Sequence, residues 1–268
     1  MQRYDSAPSV VPDELAAVLR KAEADRSPVE PLTRLHPGLT VAEAYAVQDA
    51  NTRARLAAGE QLVGRKIGLT SQAMQRQFGV DQPDFGVLFD RMVIADSGVI
   101  RTGELIAPRA EAEIAFVLGK RLYGPDVTAD DARAAVSHTL LALEVIDSRI
   151  EEWKIELADT VADNASSARV VAGPAIEATP ELLRDLKDEY VEMSVDGRRV
   201  AAGAGAALLG DPLEPVAWLA RTLYAYGVGI EAGELVMAGA VDAAVPLTPG
   251  STLSVRSGRL PALTATVH

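Results

Sequence analysis

The sequence contains no cysteine. Disulfides, zinc–thiolate sites and thiol nucleophiles are therefore excluded. Histidine is almost as scarce, with only His36, His138 and His268. They fall beside a proline, in an expected helix and at the last position, none within a polar cluster, so a Ser-His-Asp triad has no candidate. No apolar run approaches membrane-spanning length, and residues 1–13 lack the apolar stretch of a signal peptide, so a cytoplasmic location is expected. Basic residues are in deficit, 26 against 38 acidic ones, for a formal charge of −12. Nucleic acid and anionic membrane surfaces both select basic patches, so neither is an expected partner. Small anionic substrates stay open, because they respond to the local field.

What is present has an ordinary globular composition, and 268 residues suffice for one large domain or a domain with a small appendage. Residues 1–60 read as a small helical N-terminal region. Leu15, Val18 and Leu19 recur at helical spacing over 13–24, and Pro28, Pro31 and Pro37 then break the chain. Thr40 with Glu43 is a capping-box signature for a helix running to Gly59. This part carries no evident chemistry and is expected to serve packing or oligomer contact. From 61 onward the pattern turns to strands: 62–69, 87–94, 111–118, the segment around Glu144, and 169–172. Ser71 can cap a short helix ending near Gly79, and Thr128 with Asp131 starts another through Val136. Short helices are expected at 150–157 and 180–189, and 158–167 is a loop of small polar residues. Tyr190 to Ala202 reads as a hairpin turning at Asp196-Gly197, a helix spans 215–226, and short strands follow from 234. Strands and helices do not alternate regularly, so a β-rich α+β core is expected and not a doubly wound parallel sheet.

The chemistry concentrates in Pro108-Arg109-Ala110-Glu111-Ala112-Glu113-Ile114. Side chains alternate along a strand, so Glu111 and Glu113 share one side while Ala112, Ile114, Phe116 and Leu118 face a core on the other. Two adjacent carboxylates are costly to bury unpaired; either that side is wet or a cation lies between them. Glu144 interrupts a second apolar run, Leu140-Leu141-Ala142-Leu143-Glu144-Val145-Ile146. Three hard oxygen ligands with neither histidine nor cysteine nearby suit Mg²⁺ or Mn²⁺ better than zinc. A single E-x-E is a weak signal, and a solvated strand face accounts for it as well. Lys66, among Val63, Gly64, Ile67 and Gly68, is either a partly buried cation beside the metal or a snorkelling surface lysine. Asp84 stands in a turn-rich stretch where aspartate is common for backbone reasons. Asp163-Asn164-Ala165-Ser166 offers several donors to a small anion, or is a capped turn.

Taken together, five motifs resemble a known family. They are Gly64-Arg65-Lys66-Ile67-Gly68-Leu69-Thr70, Gly79-Val80-Asp81-Gln82-Pro83-Asp84-Phe85-Gly86, Pro108 to Ile114, Ala142 to Arg149, and Asp159 to Ser167. In this order they are similar to the 2-keto-4-pentenoate hydratase and 2-oxo-3-hexenedioate decarboxylase family of the fumarylacetoacetase superfamily. The resemblance implies a fumarylacetoacetase C-terminal-like core over 61–268 behind the helical region 1–60. It implies Mg²⁺ or Mn²⁺ on Glu111, Glu113 and Glu144, Lys66 and Asp84 as the acid–base pair, and Arg65, Leu69 and Ser166 as substrate contacts. A small 2-oxo or 2-hydroxy acid substrate and a homo-oligomer are implied too, with room for a complex with an enzyme of the same pathway. The implied reaction converts 2-hydroxypenta-2,4-dienoate to 4-hydroxy-2-oxopentanoate in meta-cleavage catabolism of aromatic compounds. Decarboxylation of 2-oxo-3-hexenedioate (4-oxalocrotonate) is the alternative, suggested by Ala202 to Ala207 and Gly239 to Pro246, and a non-catalytic metal-binding scaffold is the third. Asp211 stands where many members of the family carry histidine.

Overall fold

The computed structural model describes residues 11–71, 75–76 and 79–268. Three helices come first: α1 (Val11–Asp25), α2 (Leu32–Leu35) and α3 (Val41–Ala57). The capping box expected at α3 is present, with Thr40 Oγ1 accepting from the Glu43 amide and Glu43 accepting from the Thr40 amide. Leu15 and Leu19 of α1 and Ala44, Val47 and Ala50 of α3 bury one cluster with Ile150, Ala158, Val161 and Ala162, so these helices pack on the β-rich part of the chain.

The strands and remaining helices follow in order: β1 (Leu62–Gly68), β2 (Asp84–Phe89), β3 (Val93–Ala95), β4 (Val99–Ile100), β5 (Arg109–Leu118), α4 (Ala129–Ala135) and β6 (Val136–Ile146). Next come α5 (Leu157–Ala162), β7 (Ser167–Ala172), β8 (Ile176–Glu177), α6 (Pro180–Asp185), β9 (Tyr190–Val195), β10 (Arg198–Ala204) and α7 (Leu213–Ala225). The chain closes with β11 (Leu235–Ala240), β12 (Val245–Pro246), β13 (Thr252–Ser257) and β14 (Leu263–Val267). Among the described residues the main sheet has the order β2-β1-β11-β5-β6-β7-β3, with β12 on β5 and β8 on β6. A second sheet, β10-β9-β13-β14-β4, packs across β5 and β6. Pairing is mainly antiparallel, with parallel contacts at β1–β11, β3–β7 and β4–β14. The architecture is thus mixed and β-rich, without regular βαβ alternation.

The main sheet curls. Its two end strands, β2 and β3, are separated only by a 3₁₀ turn at Asp90–Met92, which brings the edges toward each other. Alternation then sorts the side chains. Ala115, Leu140, Ala142, Val170 and Met237 fill the concave interior with Leu88 and Phe89. Ile114, Phe116, Leu141 and Leu143 face the second sheet and α7, joining Val191, Val255, Leu219 and Leu223 in the larger core. Glu111 and Glu113 keep step with Ala115, and Glu144 with Ala142, so all three carboxylates turn to the interior.

Several local expectations need correction. Residues 87–94 are not one strand, because the Asp90–Met92 turn divides them. Asp84 opens β2 and is buried rather than sitting in a turn. The helix expected at 150–157 is only a 3₁₀ turn at Glu151–Trp153, with Glu152 and Trp153 at positive φ. The α-helix forms later, as α5, where Asp159 accepts from the Glu156 amide; the expected loop at 158–167 is therefore largely helical. His138 lies in β6, exposed, and not in a helix. The helix expected from Ser71 to Gly79 lies partly outside the described residues, though Gln75 donates to the Ser71 carbonyl at 3.0 Å. The hairpin of β9 and β10 turns at Asp196 (φ 49°) and Gly197 (φ 79°), both left-handed as the Asp-Gly pair requires.

Candidate metal centre and active site

In the antiparallel register of β5 and β6, Glu111 stands directly opposite Glu144, and Glu113 opposite Ala142. One oxygen from each of Glu111, Glu113 and Glu144 lies within 4.8 Å of the others. Glu113 and Glu144 are buried, with 1% and 0% of their surface exposed, and Glu111 is half-buried. Glu113 Oε2 accepts from the Gly239 amide at 2.8 Å, but its Oε1 and both oxygens of Glu144 have no hydrogen-bond partner. Gly239 has to be glycine: φ is 110°, and a Cβ would stand 2.1 Å from Thr70 Oγ1.

Lys66, on β1, projects into the same interior. Its Nζ is 3.4 Å from Glu144 Oε2 and donates to the Ala165 carbonyl at 3.2 Å. Asp84 begins the strand paired with β1 and lies opposite Gly68. A Cβ on Gly68 would meet Asp84 Oδ1 at 2.2 Å and Lys66 Nζ at 3.3 Å, so only glycine leaves room for the two groups to approach. Asp84 Oδ1 is buried and unpartnered as well.

Four carboxylates thus surround one ammonium. Burial opposes the charge on Lys66, yet Glu144, Asp84, Glu111 and Glu113 together raise its pKa above the ordinary lysine value, which keeps it an ammonium. Burial, and after it Glu144, pushes the Glu111 carboxyl up to about 7 against the pull of Lys66. The same two causes hold Glu113 well above the usual carboxylate range. Asp84 is raised by burial first, with Lys66 opposing and Glu144 assisting. Each uncompensated ion in such a place costs several kcal/mol, on the order of the penalty for a buried unpaired charge. A divalent cation among Glu111, Glu113 and Glu144 would neutralise two of the three excess charges and partner the orphaned oxygens. The donor set, all carboxylate, suits a hard cation.

The 158–167 segment closes the site by an unusual turn. Asn164, Ala165 and Ser166 are all left-handed, at φ 58°, 48° and 56°, and none is glycine. Such a conformation costs roughly 1–2 kcal/mol per residue, so it has to be held. Asn164 Oδ1 accepts from the Val87 amide at 2.7 Å and its Nδ2 donates to the Val87 carbonyl at 2.9 Å, taking the place of a strand beside β2. Buried Arg149 donates to Asp163, and the Asp147 amide donates to the Ser166 carbonyl at 2.8 Å, holding the turn against the end of β6. The turn delivers the Ala165 carbonyl to Lys66. Ser166 is buried, its hydroxyl 3.3 Å from that of Thr160.

Of the residues singled out in the sequence, Lys66, Asp84, Glu111, Glu113 and Glu144 converge. Leu69 is half-buried and left-handed (φ 56°) at the end of β1. Arg65 projects to the other side of β1 from Lys66 and is paired with Glu234 at 3.3 Å. Asp211 accepts from the Leu213 amide at the start of α7 and pairs with Arg133 at 2.6 Å. Sequence reasoning missed the Gly239 amide and the Ala165 carbonyl, since backbone groups leave no signature. It also gave the N-terminal helices no contact with the site. Gln48 of α3 in fact donates to the Phe85 carbonyl at 3.0 Å, and Tyr45 stacks on Phe85 at 4.6 Å, one residue from Asp84.

Comparison with known proteins gives a consistent set. The family model for the fumarylacetoacetate (FAA) hydrolase C-terminal region matches residues 59–268. The 2-keto-4-pentenoate hydratase of Paraburkholderia xenovorans (strain LB400) is 45% identical over 240 residues, 89% of this chain and 88% of that protein. The TodF product hydratase of Pseudomonas putida (strain F1) is 40% identical over 267 residues, 99% of this chain and 98% of the relative. Among solved structures, the 4-oxalocrotonate decarboxylase from Pseudomonas putida G7, complexed with magnesium and adipate, superposes with a TM-score of 0.94 at 39% identity. That match covers 98% of this chain and 99% of the other.

Proposed function

The chain belongs to the fumarylacetoacetate hydrolase C-terminal family, and from that premise we propose that it is a metal-dependent hydro-lyase converting 2-hydroxypenta-2,4-dienoate to 4-hydroxy-2-oxopentanoate. The observation that carries this reading is the buried cluster of Glu111, Glu113 and Glu144 beside Lys66 and Asp84. The three glutamates would hold Mg²⁺ or Mn²⁺. Bound there, the cation supplies Lewis acidity that stabilises negative charge on the carboxylate and 2-oxygen of a 2-hydroxy or 2-oxo acid.

The chain's own groups manage the protons. Lys66, kept cationic by its neighbours, donates to a substrate oxygen rather than acting as a base. Asp84, whose burial raises its carboxyl above the ordinary aspartate value, can carry a proton to C5 as the 2-hydroxyl loses its own, forming the conjugated 2-oxo acid. As a carboxylate it then takes a proton from the water adding at C4, while C3 takes one from solvent, matching the proton that the 2-hydroxyl released there. Ser166 and Leu69 would border the substrate. A homo-oligomer in the cytoplasm, acting in meta-cleavage catabolism of aromatic compounds, belongs to the same proposal.

Decarboxylation of 4-oxalocrotonate is the second reading, favoured by the solved relative that holds adipate, a dicarboxylate. That reaction asks for a further cation to hold a distal carboxylate. The neighbouring cation on β1, Arg65, is directed away and already paired with Glu234. Both substrates, offered freshly generated with Mg²⁺, separate the readings. Loss of the dienoate chromophore with formation of 4-hydroxy-2-oxopentanoate is expected. Release of CO₂ from 2-oxo-3-hexenedioate with no hydration of the dienoate would overturn the proposal in favour of the decarboxylase, and neither reaction would leave a metal-binding scaffold.

A further inference from the structure

Beside the carboxylate cluster lies a cavity of about 300 Å³ that the reaction outlined above does not use. Asp84 forms its inner end, and Tyr45 of α3, Leu157 and Val161 of α5, and Trp218 and Tyr226 from the α7 side supply the walls. Tyr45 is fixed in place, stacked on Phe85 with centroids 4.6 Å apart and tilted toward Tyr226 at 6.2 Å. The outer lip, at Ala42, Ala225 and Tyr226, is open to solvent. Among the described residues no lysine, arginine or histidine lines the cavity, and its one ionisable acid is Asp84. A carboxylate placed there would meet a like charge and no counter-ion. An apolar group would meet aromatic and aliphatic walls. Size supports the same choice: an apolar cavity of roughly 150 Å³ is enough to bind benzene.

We infer that this cavity receives the distal end of the substrate, and that it selects an uncharged apolar substituent, up to the size of a phenyl ring, over hydrogen or a carboxylate. The inference rests on the reading of the acidic cluster as the site for a 2-hydroxy or 2-oxo acid head. It gives the N-terminal helices a part in selecting substrate, because Tyr45 belongs to α3 and not to the β-rich core.

Binding of unreactive analogues tests this separately from turnover. Three saturated acids, 2-oxopentanoate, 2-oxo-5-phenylpentanoate and 2-oxohexanedioate, are titrated calorimetrically into the Mg²⁺-loaded protein. The phenyl acid should bind at least about tenfold more tightly than 2-oxopentanoate, in line with burial of a ring, and the dicarboxylate most weakly. In Thr222→Trp, which fills the cavity from α7, the ratio of phenyl acid to 2-oxopentanoate should fall to about one. Tightest binding of the dicarboxylate, no advantage for the phenyl acid, no binding of any of the three, or an undiminished ratio in Thr222→Trp would each overturn the inference. Turnover of 2-hydroxypenta-2,4-dienoate is measured alongside. Its absence, with the binding preference intact, would sink the hydratase reading and leave this one standing.

Discussion

Lys66 carries one positive charge among four carboxylates, and most of the site's behaviour follows from that ratio. Beside a bound cation the ammonium is a like charge, so it opposes metal binding while serving the substrate. Lys66→Met should therefore bind Mg²⁺ at least as tightly as the unaltered protein, yet lose on the order of 10²-fold or more in turnover of the dienoate. Weaker metal binding in that variant would mean that Lys66 organises the carboxylates rather than the substrate. Asp84→Asn removes the proton carrier and keeps the shape. Turnover should fall by about 10²–10⁴ with metal affinity retained, and a variant with full activity would remove Asp84 from the mechanism.

At the scale of elements, β5 and β6 place the glutamates, and the left-handed turn at Asn164–Ser166 places what faces them. The turn depends on the two hydrogen bonds between Asn164 and Val87, worth about 1 kcal/mol each in net stability. Asn164→Gly loses those bonds but accepts a positive φ freely, whereas Asn164→Ala loses the bonds and adds backbone strain. Thermal melting should rank the unaltered protein first, Asn164→Gly next and Asn164→Ala lowest, and both variants should lose activity as the Ala165 carbonyl leaves Lys66. Equal melting of Asn164→Ala and the unaltered protein would show that the turn is not held by this residue. The strands were legible in the sequence because period two is unambiguous in Arg109–Leu118, where a core face and an acidic face alternate. The turn was not legible: Asn-Ala-Ser carries no glycine, and its left-handed course is imposed by Val87, 77 positions earlier. Asp84 was read as a turn residue for a related reason. Its neighbours Gln82 and Pro83 signal a turn, while the pairing that makes it the first residue of β2 is with Gly68, on β1.

Across the whole molecule, the curled sheet forms a polar interior in an otherwise apolar chamber, and the metal-free protein should feel it as pH changes. Glu111 titrates at about 7 in the folded chain against an ordinary 4.5, and Glu113 and Asp84 are raised in the same direction. Between those values the folded chain holds protons that the unfolded chain has released. The stabilisation is complete below about pH 4.5 and is lost as pH rises through about 7. Mg²⁺ requires the ionised carboxylates, so its effect runs the opposite way. The gain in melting temperature on adding Mg²⁺ should be small near pH 5 and larger near pH 7.5. An equal gain at both, or a larger one at the lower pH, would contradict the assignment of those shifts. Packing between distant parts of the chain was only partly readable at this scale. The helices at 11–25 and 41–57 showed in their spacing and capping box, but the contacts of Tyr45 and Gln48 with Phe85 join partners about 40 positions apart and leave no periodic trace.

The central claim is that Glu111, Glu113 and Glu144 hold one divalent cation. Titrating Mn²⁺ into the metal-free protein and following free Mn²⁺ by electron paramagnetic resonance tests it directly. About one ion per chain is expected for the unaltered protein, and replacing Glu144 by Gln should weaken binding by on the order of 10²-fold, the cost of removing a charged ligand from a buried site, with the far-ultraviolet circular dichroism unchanged. Stoichiometric binding of undiminished affinity in the folded Glu144→Gln protein would contradict it.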